Sequence, residues 1–383
     1  MNEIPEFVAR HREKLEAFVR LSQTAGRRSD YVQGGGGNTS CKVDETLMAI
    51  KASGYRLDQI ELDKAYAVLD YQILRRFYLE IDPETLKDVE QEGSARVKEA
   101  MRTIDGIEPL RPSVEAGFHS LLDTHVLHTH PVYANLAACS EEGEEMAARA
   151  LSDLSARYVF VPYINPGAQL TFAIRREIQA EVHRSGKRPG VLFLQNHGLV
   201  ITGGDADRCL ELHDSVNERI AAVFGVSPSD WPVISVLPVP AVETKGKEQA
   251  FQSNTPWLRE RLIALNWDLD LFANRPLYPD QLVFLDGQLG IVADGTLAEA
   301  LQKEATGGQR LPDKCTIFRE SGEIFYRCSQ NEARTIEETL CAVLFIHEAI
   351  KKAGKTVRTM GEAEQQFISS WESEAYRKNI AAR

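Results

Sequence analysis

The sequence predicts an α/β protein in two parts, on three observations. Short apolar runs that stop at glycine, proline or histidine read as strands, such as Val191-Leu192-Phe193-Leu194. Longer stretches with apolar residues three and four apart lie between them and read as amphipathic helices. A stretch over 227–257, with five prolines and no clear period, separates two such regions and reads as a linker. At 383 residues the chain exceeds one usual domain, so the expected division is a domain over 1–226, the linker, and a smaller α/β unit over 258–383.

Taken in order, Phe7, Val8, Leu15, Phe18, Val19 and Leu21 predict a helix over 5–24. The glycine run Gly34–Gly37 with Asn38-Thr39-Ser40 is irregular, and 41–43 and 47–51 read as strands around an Asp44-Glu45 turn. Helices are expected over 62–80 and 84–102, and Ser113 suits the cap of another through Glu115, Phe118 and Leu122. Val126 to His130 alternates as a strand that stops at Pro131. Strands at 158–161, 191–194 and 199–201 follow, with helices near 168–184 and 204–224. In the C-terminal part, 281–285, 289–292, 316–318 and 324–326 read as strands, and 295–305, 331–352 and 360–379 as helices.

A net charge of -12 argues against a nucleic-acid surface, which needs clustered Lys and Arg. No apolar run approaches membrane-spanning length and the start carries no apolar leader, so a cytoplasmic protein is expected. The six scattered cysteines form neither a CxxC pair nor a dense framework and read as buried or idle thiols.

His128 and His130 stand two apart on a strand, so both side chains leave one face and can converge on an ion. His125, at an odd offset, points the other way. Read alone, the pair also fits two surface or core histidines. His197, in Gln195-Asn196-His197-Gly198, follows a strand; by itself it suits a structural role as well, but beside an HxH pair it would complete a three-imidazole site with an open position. Glu115 alone is an ordinary helix carboxylate; near an ion it becomes a proton-transfer candidate. Gly34–Gly37 is either a flexible loop or a place where backbone N–H groups approach an anion, and it matches neither nucleotide-binding glycine pattern.

In order, GGGGNTS, KASG (51–54), PSVE (112–115), HTH (128–130), PYINPG (162–167) and QNHGL (195–199) resemble the class II aldolase/adducin family over about residues 5–225. The resemblance implies an α/β/α layered fold with a central, largely antiparallel sheet, assembled as a homo-oligomer, usually a tetramer. It implies Zn2+ or another divalent metal on His128, His130 and His197, Glu115 as acid/base carboxylate, and Asn38, Ser53, Gly54 and Ser113 lining the pocket for a substrate's phosphate end. The implied activity is that of a lyase: retro-aldol cleavage of a small, phosphorylated sugar derivative, with the ion stabilising an enediolate. Other metal-enolate reactions (epimerisation, decarboxylation, dehydration) and a non-catalytic adducin-like module are the alternatives. Val114 departs from the family pattern, standing where such aldolases often carry a second serine, and this removes one hydroxyl from the anion end.

Overall fold

The computed structural model describes residues 4–240, 249–265, 270–273, 275–285, 289–312 and 314–370. The chain divides into two compact units, 1–223 and 224–383.

The first unit carries strands β1 (Asn38–Lys42), β2 (Leu47–Lys51), β3 (Tyr66–Asp70), β4 (Met101–Arg102), β5 (His125–Thr129), β6 (Tyr158–Val161), β7 (Val191–Leu194) and β8 (Gly198–Gly203). They form one sheet in the order β4-β3-β2-β1-β5-β8-β7-β6. Every neighbouring pair is antiparallel except β6 with β7, whose parallel pairing requires a crossover. The helices are α1 (Glu6–Arg10), α2 (Arg12–Gly26), α3 (Tyr71–Glu80), α4 (Val89–Ala100), α5 (Ala116–Leu121), α6 (Val132–Ala138), α7 (Gly143–Ala150), α8 (Ala168–Ser185) and α9 (Ala206–Val223). Helices α2, α6, α7 and α9 pack together on one face, against β1, β5 and β8, while α3, α4, α5 and α8 pack on the other. The result is an α/β/α sandwich with a largely antiparallel sheet.

Strand periodicity distributes the side chains of β5 between these layers. Val126 joins Phe118, Leu122 and Ile174 in the core on the α5/α8 side. His128 shares that side, its ring edge-on to Phe118. Thr129 faces the opposite layer and bonds His213 of α9 at 2.7 Å.

The second unit holds a separate sheet of order β11-β12-β13-β10-β9, built from β9 (Val236–Pro238), β10 (Phe251–Ser253), β11 (Leu289–Val292), β12 (Lys314–Phe318) and β13 (Ile324–Arg327). Its helices are α10 (Pro256–Ala264), α11 (Asp270–Ala273), α12 (Pro279–Leu285), α13 (Leu297–Ala305), α14 (Gln330–Lys352) and α15 (Glu362–Ser370). Val239, Leu297, Leu301, Phe318 and Phe325 form its core cluster.

Three expectations require correction. Residues 62–80 are not one helix: Tyr66–Asp70 pairs with β2 and the helix starts at Tyr71, where the Asp70 carboxylate caps the Gln72 N–H. Residues 281–285 are helical, not a strand; Pro279 opens α12, whose residues are all buried, and a short apolar run reads alike in both forms. The stretch read as linker contributes β9 and β10, with Pro238 tolerated because β9 is an edge strand. Its residues 241–248, and the part of the 360–379 helix beyond 370, lie outside the described residues.

Candidate metal centre

The sharp turn between β7 and β8 places His197. Leu194 pairs with Gly198, so only three residues close the hairpin, and Asn196 takes a left-handed conformation (φ 49°) that asparagine tolerates. Helix α6 steadies this turn: Asn196 N donates to Ala138 O at 2.8 Å and the Asn135 amide to His197 O at 3.5 Å. His128 comes from the middle strand β5. His130 lies just beyond that strand's end, where its N–H donates to Tyr31 O at 3.1 Å.

The three imidazoles converge. Their ligand nitrogens all lie within 4.8 Å of one another, their ring centroids are 4.9 to 5.0 Å apart, and all three residues are buried. His128 Nδ1 donates to Leu199 O at 3.0 Å, which leaves Nε2 as its lone-pair nitrogen, 3.2 Å from His130 Nε2. A strand-borne backbone carbonyl behind a ligand imidazole is the usual way its tautomer is fixed.

Glu115 sits at the N-terminal end of α5 with its carboxylate against this cluster. Oε2 lies 3.5 Å from His128 Nε2 and Oε1 3.5 Å from His197 Nε2. Oε2 also accepts from Asn38 Nδ2 at 2.6 Å, whereas Oε1, fully buried, accepts no hydrogen bond among the described residues. Burial pushes the carboxyl upward, while the His128 and His197 rings, when protonated, the Asn38 amide and a protonated His130 pull it down. Asn38 reaches Glu115 because β1 pairs with β5 in a register that sets Asn38 opposite His128. Gly37 makes that approach feasible: it adopts φ 64°, and a Cβ there would stand 2.5 Å from His128 O.

Ser113 joins the same group through Oγ, which accepts from Asn38 Nδ2 at 3.0 Å and from Glu115 N at 3.3 Å. Ser53 and the left-handed Gly54 (φ 88°) occupy the adjoining corner, tied on by an Ala52–Pro112 bridge and by Ser53 N donating to Arg111 O at 2.8 Å. Lys51 Nζ links this corner to the glycine loop, donating to Gly35 O and Tyr55 O. One neighbour escaped the sequence reading: His119, buried, one turn after Glu115 and bonded to Asn38. Its sequence context, Phe-His-Ser-Leu-Leu on a helix, carries no metal or catalytic spacing; only the adjacency of β1 reveals it.

Three buried imidazoles with an unbonded carboxylate oxygen beside them form a donor set that suits a divalent transition ion. The sequence over residues 16–223 matches the Class II Aldolase and Adducin N-terminal domain, and the chain belongs to that family. Among curated relatives it is 28% identical over 230 residues to the uncharacterized oxidoreductase YuxG of Bacillus subtilis, covering 55% of this chain and 31% of that protein. The chain thus spans about a third of YuxG's length. It is 21% identical over 245 residues to the 3-oxo-tetronate 4-phosphate decarboxylase of Haemophilus influenzae, covering 61% of this chain and 97% of that one. Among solved structures, the N-terminal class II aldolase domain of a conserved Thermoplasma acidophilum protein aligns at 23% identity and a TM-score of 0.44, over 54% of this chain and 92% of that one. An L-fuculose 1-phosphate aldolase aligns at 17% identity and a TM-score of 0.36, over 57% and 92%. Members of the family are generally metal-dependent lyases. Among the described residues no helix is long and apolar enough to cross a membrane.

Proposed function

We propose that this chain is a metal-dependent lyase that cleaves a small, phosphorylated sugar derivative by a retro-aldol reaction. The observation that carries this reading is the convergence of His128, His130 and His197 beside a buried carboxylate that stands 3.5 Å from two of them. A divalent ion, zinc for preference, would supply a Lewis acid that polarises the substrate carbonyl and steadies the charge left when a carbon–carbon bond breaks. The protein's own groups do the rest. Glu115, kept as a carboxylate with Oε1 unbonded, accepts and returns the proton that the reaction moves. Ser113, Ser53 and Gly54 hold the substrate's anionic end by side-chain and backbone donors, offsetting locally a net charge of -12, while Asn38, expected from the sequence to share that task, donates both amide hydrogens to Glu115 and Ser113. Catalysis resides in residues 1–226, and the working form is a homo-oligomer, as is common in the family.

Decarboxylation is the second reading, supported by the match to nearly the full length of a 3-oxo-tetronate 4-phosphate decarboxylase. One experiment separates the two: the zinc-loaded protein is incubated with a panel of ketose phosphates and keto-acid phosphates, and products are followed by NMR. Aldehyde release supports retro-aldol cleavage, carbon dioxide release supports decarboxylation, and neither product across the panel sinks both.

A further inference from the structure

We propose that His119 is a positioning residue that aims the Glu115 carboxylate through the side-chain amide of Asn38, and that the alternate residues Asn38, Ser40 and Lys42 of β1 form a single device for this purpose. The inference rests on the proposed function only for its turnover readout.

The device follows from strand periodicity. Thr39 turns toward α2, where its hydroxyl bonds Ser22 at 2.7 Å. Asn38, Ser40 and Lys42 all turn toward α5. Lys42 Nζ donates to the carbonyls of His119, Leu122 and Asp123 at 3.0, 2.7 and 2.7 Å, and so occupies the end of α5 where helix carbonyls lack partners. This fixes α5, and with it His119, relative to β1. Ser40 Oγ then meets His119 Nδ1 at 2.7 Å, and His119 Nε2 meets Asn38 Oδ1 at 2.5 Å.

Donor and acceptor counting gives the chain a direction. The two hydrogens of Asn38 Nδ2 go to Glu115 Oε2 at 2.6 Å and to Ser113 Oγ at 3.0 Å. The opposite amide setting would press Oδ1 against a carboxylate oxygen, so Oδ1 must face His119. His119 Nε2 therefore carries the proton. The ring is fully buried, and burial holds its pKa well below the usual histidine value, so it is neutral and has one N–H only. Its Nδ1 accordingly accepts from the Ser40 hydroxyl. The donors run Ser40 to His119 to Asn38 to Glu115, each group having one permitted orientation. Oε2 is thereby pinned, and Oε1 is left to face His197. Without the His119 N–H, the Asn38 amide is free to turn and the carboxylate loses the bond that holds its angle.

The test uses selectively 15N-histidine-labelled full-length protein, metal-free, with the His119 signals assigned by their loss in His119→Gln. Long-range 1H–15N correlation at neutral pH is expected to show His119 as the Nε2–H tautomer, and Ser40→Ala is expected to mix the tautomers. In the zinc-loaded protein, His119→Phe should lower kcat by about ten- to a hundredfold, the range for loss of an outer partner, with KM and bound zinc within about twofold. His119→Gln, whose Nε2 reaches the same position, should recover most of that loss. A His119 that is Nδ1-protonated or charged overturns the proposal, as does unchanged turnover in His119→Phe, or a Gln variant no better than Phe. If wild type turns over no sugar derivative, the proposed reaction fails while the tautomer result still judges the role of His119. If His119→Phe does not fold, the wild-type and Ser40→Ala tautomers decide alone.

Discussion

Gly198 presses its bare α-carbon against the carbonyl of Thr129: a Cβ on Gly198 would stand 2.3 Å from Thr129 O and 2.9 Å from His130 Cδ2. The residue after one histidine is thus the residue that lets the other two come near. Gly198→Ala must spread β8 from β5 or displace the His130 ring, at a cost of about 1–3 kcal/mol in stability. Zinc affinity should fall with it. Thermal unfolding with and without zinc checks both; an alanine variant with native melting temperature and native affinity would show that the turn yields without cost.

Each of His128→Ala, His130→Ala and His197→Ala should abolish tight zinc binding, with a loss greater than the roughly 10–100-fold seen when only an outer partner is removed. Circular dichroism should stay native, since the three rings line a centre rather than fill a core. Stoichiometric metal retained in all three variants, measured by atomic emission after dialysis, would remove the centre from these residues.

Glu115→Gln should keep zinc and lose turnover by roughly a hundredfold or more, because the amide cannot accept the proton. Its amide oxygen can take the place where Oε2 now accepts from Asn38 at 2.6 Å, so the carboxylate's anchor is kept while the second oxygen becomes a donor. Wild-type kcat in this variant would return Glu115 to the role of an ordinary helix residue.

His125, buried on the α2 side of β5 with Nδ1 unbonded among the described residues, supplies a pH dependence. Burial, aided by Lys14 and Arg20 and opposed by Asp205, brings its pKa down from 6.5 to about 4. The native ring therefore stays neutral while the unfolded chain takes up a proton below 6.5. The stability linked to this group is present above 6.5 and lost as pH falls to about 4, amounting to about 3 kcal/mol. Comparing metal-free wild type and His125→Leu by denaturant titration at neutral pH and near pH 4 should show a smaller acid loss in the variant. Equal losses would assign the acid sensitivity to other histidines, of which buried His119 and His213 shift in the same direction.

Much of the site was legible in the sequence because its spacing is local. His128 and His130 lie two apart on an apolar strand, and His197 follows a run of four apolar residues, so both positions announce themselves by period and punctuation. The hidden parts depend on long-range pairing. Tyr66–Asp70 continues the apolar rhythm of the helix after it, and its pairing with β2 and β4 makes it a strand. The stretch 281–285 carries the same ambiguity in reverse: enclosed on every side, it shows no polar face from which a helical period can be read. His119 could be found only by noticing that Asn38, Ser40 and Lys42 share a face, and that nothing but the fold brings α5 onto it.

The sheet order has a bearing on how the protein is made. β1, β5 and β8 are side by side, yet their residues are separated by most of the first unit, from Asn38 to Gly203. A chain emerging from the ribosome can pair β1 with β2 early, but β8 cannot close against β5 until about two hundred residues have been synthesised, and the loops between them must be paid for in entropy first. The three-histidine cluster therefore cannot be complete until β8 has been made and His197 carried to the end of β5.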